Sequence, residues 1–136
     1  MNRTEEIELL EQLEQWNSKD EYSQCIQAIE AIPEQERGYL LTVKLSRAYS
    51  NLAVLGDHGV HGTDGEVDGD LIQHAIRLLE SVRTQGENDP YWNARMGYSC
   101  LMAYSSAATA YEYAKRWLAL APDDPDAQKL VRDRSE

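Results

Sequence analysis

Apolar residues recur at intervals of three and four positions along most of the chain, as in Ile7, Leu10, Leu13 and Trp16. This spacing places them on one face of an α-helix. No part of the sequence shows the apolar and polar alternation, enriched in β-branched residues, that is typical of a strand. The sequence therefore predicts an all-α protein, and 136 residues with 42% hydrophobic content suit a single domain over residues 1–136.

Capping residues and helix breakers divide this pattern into seven predicted helices. The expected N-caps of the first, second, fourth and fifth helices are Thr4, Asp20, Asp70 and Asp89. Pro33 ends the second helix, and the third should begin just after it and run to about Leu55. The fourth should stop near Gly86, and the sixth should begin near Ala107. Six of these helices form three antiparallel hairpins, and a short seventh helix from Pro125 covers the last one.

The charge balance restricts the partners. The chain has 24 acidic and 13 basic side chains and a net charge of -11, which is the wrong sign for binding phosphates through Lys and Arg. We therefore expect neither nucleic acid nor an anionic membrane as a partner. No apolar run approaches the ~20 residues that span a bilayer. The N-terminus does not have the basic and then apolar pattern of a signal peptide, so the predicted location is cytoplasmic.

Motifs for catalysis and cofactor binding are missing from the sequence. There is no GxSxG turn, and the glycines form neither a GxGxxG nor a Walker-type phosphate loop. Cys25 and Cys100 each stand in an apolar helical pattern, which predicts buried thiols instead of a disulfide or a CxxC site. The sequence therefore predicts a protein that is not an enzyme and has no cofactor.

Residues 56–70 form a Gly/Asp-rich insertion, GDHGVHGTDGEVDGD, in the second hairpin. Its acidic residues are spaced like the ligands of a hard cation. These candidate metal ligands are Asp64, Glu66, Asp68 and Asp70. Counted from Asp64, however, position twelve of a calcium loop is Ala75, so the closing glutamate is missing. A solvated insertion is the alternative interpretation.

The same insertion raises a second metal hypothesis. His58 and His61 stand three residues apart, and His74 follows the insertion. With Asp57 or Asp64 they could hold a transition metal, and a metal-dependent hydrolase would be one use of such a site. Three solvated histidines are the alternative.

The last hairpin resembles a tetratricopeptide repeat. The segment DPYWNARMGYSCLMAYSSAATAYEYAKRWLALAPDDPDA has small residues at Gly97 and Ala110 and the closing proline Pro122, as that repeat of about 34 residues requires. Fewer positions match in the other two hairpins. The matching residues there are Leu45, Ser46, Tyr49, Leu52 and Ala75 in the second, and Trp16, Tyr22, Cys25, Ile32 and Pro33 in the first. The last part also resembles small bacterial repeat proteins of uncharacterised function.

The resemblance implies a short right-handed solenoid of three stacked hairpins, with the last helix as a cap. An irregular helical bundle remains the alternative. Trp117 departs from the pattern, since the motif usually has alanine there, and a homodimer that covers Trp117 or the open edge of the stack is one possible consequence.

In such a solenoid the first helix of each hairpin lines a concave face. The resemblance therefore implies a non-enzymatic module that binds a protein or peptide on that face. The residues expected there are Arg47, Asn51, Tyr91, Arg95 and Tyr98. Arginine pairs with carboxylates, asparagine bonds an extended backbone, and tyrosine supplies rigid contact area. The alternatives are contacts within the molecule and a metal- or ligand-responsive protein that uses residues 56–70.

Overall fold

The computed structural model describes residues 1–59, 67–103 and 107–134. Every regular element in these ranges is a helix, so the prediction of an all-α fold is confirmed. The α-helices are α1 (Arg3–Ser18), α2 (Tyr22–Glu30), α3 (Gly38–Leu55), α4 (Gly69–Glu80), α5 (Arg83–Gly86), α6 (Pro90–Met102), α7 (Ala107–Leu120) and α8 (Pro125–Arg134). Two 3₁₀ turns, Glu34–Glu36 and Asp57–Gly59, precede and follow α3.

Helices that are close in sequence pack against each other. α1 packs on α2, α2 on α3, and α3 on α4. Both α3 and α4 contact α6, which packs on α7, and α7 packs on α8. The helix pairs α1–α2, α3–α4 and α6–α7 therefore follow one another in chain order, and α8 packs against the last pair.

The core follows the same order in three clusters. The first joins α1, α2 and α3, the second joins α3, α4, α6 and α7, and the third joins α6, α7 and α8. Each cluster shares a helix with the next, so the apolar interior is continuous from α1 to α8. Representative members are Leu13, Ile29 and Leu45 in the first, Val43, Leu79 and Trp92 in the second, and Ala114, Trp117 and Leu130 in the third.

Trp117 belongs to this interior. Its side chain is only 6% exposed, and its ring meets that of Tyr98 edge-on at a centroid distance of 5.7 Å. The indole therefore occupies the α6–α7–α8 interface. A homodimer stays a prediction, but Trp117 does not offer it a surface.

Two of the expected N-caps are wrong by two residues. Asn2, not Thr4, caps α1: its Oδ1 accepts the Glu5 backbone N–H at 2.8 Å, and the Glu5 carboxylate accepts the Asn2 N–H. Asp68, not Asp70, caps α4, since its Oδ1 accepts the N–H groups of residues 70 and 71. Where two neighbouring residues are both suitable N-caps, the residue with the extended backbone conformation takes that position.

Asp20 is not the cap of α2 either. It adopts a left-handed conformation with φ 58° in the turn after α1, and its carboxylate accepts the Tyr22 hydroxyl at 2.7 Å. Asp89 is the N-cap that the sequence predicted, with its Oδ1 accepting the Tyr91 N–H at 3.0 Å and Pro90 as the first helical residue.

Two predicted helix ends also change. α3 does not begin directly after Pro33, because a 3₁₀ turn intervenes and Gly38 takes φ 72° before the helix continues. The fourth helix stops at Glu80 instead of Gly86, since Val82 leaves the helical region at φ -122°. The short α5 occupies the rest of that segment.

Cys25 and Cys100 are both buried and free, as the sequence predicted. Burial raises the pKa of each thiol. Among the helices of the described ranges, none is long and apolar enough to span a membrane.

Candidate functional site

The side chains predicted for the binding face lie on α3 and α6. Asn51, Arg95 and Tyr98 line one cavity, and the charge of Arg47 acts on the Arg95 guanidinium. Lys44, one turn before Arg47, joins them because its Nζ lies 4.8 Å from the centroid of the Tyr91 ring. Spacings of three and four keep the members of each helix on one side. We call this surface the cationic face; it consists of Lys44, Arg47, Asn51, Tyr91, Arg95 and Tyr98.

Glu14 on α1 neutralises one edge of the cationic face. Its carboxylate lies 2.8 Å from Lys44 Nζ and 2.9 Å from Arg47 Nη2. Burial alone would raise the pKa of Glu14, but hydrogen bonds from Arg47 and Lys44 outweigh it and hold the pKa below its usual value. Farther along the same helix, Asn17 Oδ1 accepts the Asn51 side-chain amide at 3.1 Å. These polar contacts hold α1 against α3.

Arg95 has no such partner. No carboxylate among the described residues pairs with its guanidinium, and its Nε is buried without a hydrogen bond. The contact that it does make is with the ring of Tyr98, 5.3 Å from guanidinium carbon to centroid. Burial lowers the pKa of Arg95, and the like charge of Arg47 lowers it further, although Tyr91 and Tyr98 act in the opposite direction. Arginine nevertheless stays protonated, so Arg95 is a partly buried cation without an acidic partner among the described residues.

Two more polar groups of the cationic face are buried without a hydrogen-bond partner. They are the hydroxyl of Tyr91 and the Nε of Arg47. Buried polar groups in folded proteins are nearly always satisfied by protein or by ordered water. The cationic face therefore has three unsatisfied hydrogen-bond donors on neighbouring side chains. A ligand with several hydrogen-bond acceptors suits such a surface.

An apolar cavity of about 210 Å³ adjoins Arg95 at the C-terminal ends of α3 and α6. Its apolar lining comes from Val54, Leu55 and Met102, and Leu55 is 46% exposed. A second cavity of about 200 Å³ lies between α6 and α8. Tyr98 lines both, so the surface continues past Arg95 toward α8.

The acidic metal candidates are only partly within the described ranges. Asp64 and Glu66 lie outside them. Asp68 is exposed and already uses a carboxylate oxygen to cap α4, and Asp70 is exposed in the first turn of that helix. No group of three His, Cys, Asp or Glu within the described ranges is arranged to hold a metal ion.

The histidine candidates divide in the same way. His61 lies outside the described residues. His58 takes a left-handed backbone conformation with φ 57°, and its N–H donates to the Asp20 carbonyl at 2.6 Å. His74 contacts the Tyr49 ring edge-on at 4.4 Å, and Asp57 accepts the Ser23 N–H at 3.0 Å. The described residues of the second metal hypothesis thus make contacts within the protein.

Sequence reasoning missed four contributors to this site. Lys44 had a usable signal, because it stands three residues before Arg47 on the same helical face. Glu14 had none, since it is more than thirty residues from Arg47 in the chain and only packing brings it there. Leu55 and Met102 have the spacing of core residues, and their position in the lining of the cavity beside Arg95 shows only in three dimensions.

Comparison with protein-family models, with curated proteins and with solved structures finds no match to this chain.

Proposed function

We propose that this protein is a non-enzymatic interaction module that binds an extended protein segment across its cationic face. Its helix pairs would stack as a short tetratricopeptide-like right-handed solenoid, with α8 as the cap. Three contacts between first helices support that arrangement: Glu14 with Arg47, Asn17 with Asn51, and Lys44 with Tyr91. Through these contacts α1 meets α3 and α3 meets α6. In tetratricopeptide-like repeats the first helices of the hairpins form the concave face.

Small residues support the repeat interpretation as well. A methyl group on Gly97 would come within 3.6–3.8 Å of Leu130, Tyr113 and the Ala110 carbonyl. These are ordinary van der Waals distances, so Gly97 lies in the interface of α6 with α7 and α8, where glycine or alanine fits, and the resemblance implies a small residue at this position of the first helix.

The observation that carries the proposal is the uncompensated Arg95. A charge that is partly withdrawn from water and has no acidic partner among the described residues is unfavourable for folding, and a ligand that supplies the opposite charge relieves this cost. A carboxylate matches the planar guanidinium in shape and charge. The overall charge of -11 opposes a polyanion such as nucleic acid, whereas a single acidic side chain on a peptide meets this local excess of cations.

A display selection tests this proposal. Random twelve-residue peptides, fused through a Gly-Ser spacer so that no peptide carboxyl end is free, would be selected on the wild-type protein and on Arg95→Gln. We expect wild type to enrich peptides with acidic residues and Arg95→Gln to lose that enrichment. Arg77→Gln is the matched control, because Arg77 is exposed on α4 outside the cationic face. Enrichment that is equal in wild type and Arg95→Gln would refute the proposal.

A further inference from the structure

The apolar cavity next to Arg95 offers a ligand apolar surface that a carboxylate alone would not contact. Arg95 and Asn51 line it together with Val54, Leu55 and Met102, which supply apolar surface. Leu55 leaves 46% of its surface in water although it stands beside the site. Covering apolar surface of this kind stabilises a complex by about 25 cal/mol per Å². A ligand that fills the cavity therefore gains binding free energy beyond its ion pair.

We infer that the cationic face selects an internal segment of a protein in which an aliphatic residue stands two positions from an acidic one. The inference rests on the proposed function and specifies its ligand. The acidic side chain pairs with Arg95, and the aliphatic side chain enters the Val54–Leu55–Met102 cavity.

The spacing of two follows from strand geometry. In an extended chain, alternate side chains point to the same side and lie about 7 Å apart. Arg95 and the aliphatic wall belong to one cavity of about 210 Å³, so a single segment reaches both with residues i and i+2. Adjacent residues point in opposite directions, and one of them would face solvent.

The extent of the surface favours an internal segment over a chain end. Tyr98 lines both the Arg95 cavity and the neighbouring cavity, whose other lining residues on α8 are Asp126, Lys129, Leu130 and Asp133. A segment whose acidic residue meets Arg95 has space to continue on both sides. A terminal carboxylate at Arg95 would leave the α8 side empty.

Chemical-shift titration of the ¹⁵N-labelled protein with synthetic peptides tests the inference, and it measures even millimolar affinities. All internal-segment peptides are acetylated and amidated on one Gly/Ser background. They contain Asp-Ser-Leu, Asp-Ser-Ser, Asn-Ser-Leu or Asp-Leu-Ser, and a fifth peptide without acidic residues ends in leucine with a free carboxylate. The proteins are wild type, Arg95→Gln and Leu55→Gln, with Leu120→Gln as the control because Leu120 is an exposed leucine on α7.

We expect wild type to bind the Asp-Ser-Leu peptide roughly tenfold more tightly than the Asp-Ser-Ser peptide, as burial of one leucine side chain implies. Leu55→Gln should lose most of this preference, and Leu120→Gln should keep it. Equal affinity of wild type for Asp-Ser-Leu, Asp-Ser-Ser and Asp-Leu-Ser would overturn the inference while leaving the proposed function intact, provided that Arg95→Gln weakens all three. Tightest binding of the peptide with the free carboxylate would overturn the assignment to an internal segment. If Arg95→Gln changes no affinity, the proposed function itself fails.

Discussion

Arg47 Nη2 lies 2.9 Å from Glu14 Oε1, and this ion pair fastens α1 to α3 at the edge of the cationic face. Arg47 therefore has its counter-charge inside the molecule, whereas Arg95, on whose pKa the charge of Arg47 acts, has none among the described residues. The site therefore has one guanidinium, of Arg47, that is paired with a carboxylate, and one, of Arg95, that has no carboxylate partner among the described residues. A ligand carboxylate is accordingly expected at Arg95, with Glu14 acting as its competitor for Arg47.

The variant Glu14→Gln should bind acidic peptides several-fold more tightly than wild type. The substitution removes the carboxylate that holds Arg47 and Lys44, and both cations then act on the ligand. Its cost in folding stability should stay below about 1 kcal/mol, because Glu14 is half exposed. Titration of a selected acidic peptide measures the effect, and Glu11→Gln on the same helix is the control. Weaker binding by Glu14→Gln would contradict a competing role for Glu14.

The stability difference between wild type and Glu14→Gln should depend on pH. The pKa of Glu14 is lower in the folded protein than its usual value. The unfolded chain therefore takes up the proton first, and the contribution of Glu14 is complete above the unfolded pKa and lost as the pH falls through the folded one. We expect the difference to be constant between pH 7 and about 5.5 and to shrink below about pH 4.5. Urea unfolding at a series of pH values measures it. A difference that grew in acid would be the opposite of this expectation.

Arg95→Met should make the protein more stable while it abolishes binding of acidic peptides. Methionine keeps much of the length of the side chain and removes a partly buried charge that has no acidic partner among the described residues. Replacing a buried ion pair by apolar residues is often neutral or stabilising by about 1–4 kcal/mol, and for this single, partly buried charge we expect about 1 kcal/mol. Arg77→Met, at an exposed site, should stay within about 0.5 kcal/mol of wild type. Urea unfolding decides, and a less stable Arg95→Met would show that the guanidinium has a structural role.

Properties that depend on local spacing were predictable from the sequence, and properties that depend on distant neighbours were not. The helical segments follow from the three-and-four periodicity, and the resemblance to a repeat predicted that Arg47 and Arg95 lie on one face. That Arg95 lacks a counter-charge follows from where α1 places Glu14, and no short-range pattern records it. The apolar cavity was not predicted for a similar reason, since the sequence spacing of Leu55 is that of a core leucine and its exposure shows only in the structure.

Asp68→Ala should destabilise the protein more than Asp70→Ala. Asp68 Oδ1 accepts two backbone N–H groups at 3.1 and 3.2 Å, and loss of an N-cap costs about 1 kcal/mol. Asp70 acts only through its charge in the first turn of α4, which is worth about 0.3 kcal/mol. Thermal unfolding of the two variants distinguishes them. The reverse order would restore Asp70 as the cap that the sequence suggested.

Gly86→Ala should be among the most destabilising single-methyl additions in the chain. A Cβ at Gly86 would overlap Cδ1 and Cγ of the Trp92 indole. Trp92 cannot yield, because it is fully buried and its Nε1–H donates to the Leu79 carbonyl at 2.9 Å. Overpacking a core of this kind costs about 3 kcal/mol.

Gly69→Ala is the matched control, since a Cβ there meets nothing within 4 Å and alanine restricts the unfolded chain, which stabilises by about 0.5 kcal/mol. Urea unfolding of both variants, followed by Trp fluorescence, should therefore give shifts of opposite sign in the midpoint. Equal midpoints would mean that α5 moves away from the indole at little cost, and the packing of Trp92 would then not depend on the missing side chain at Gly86.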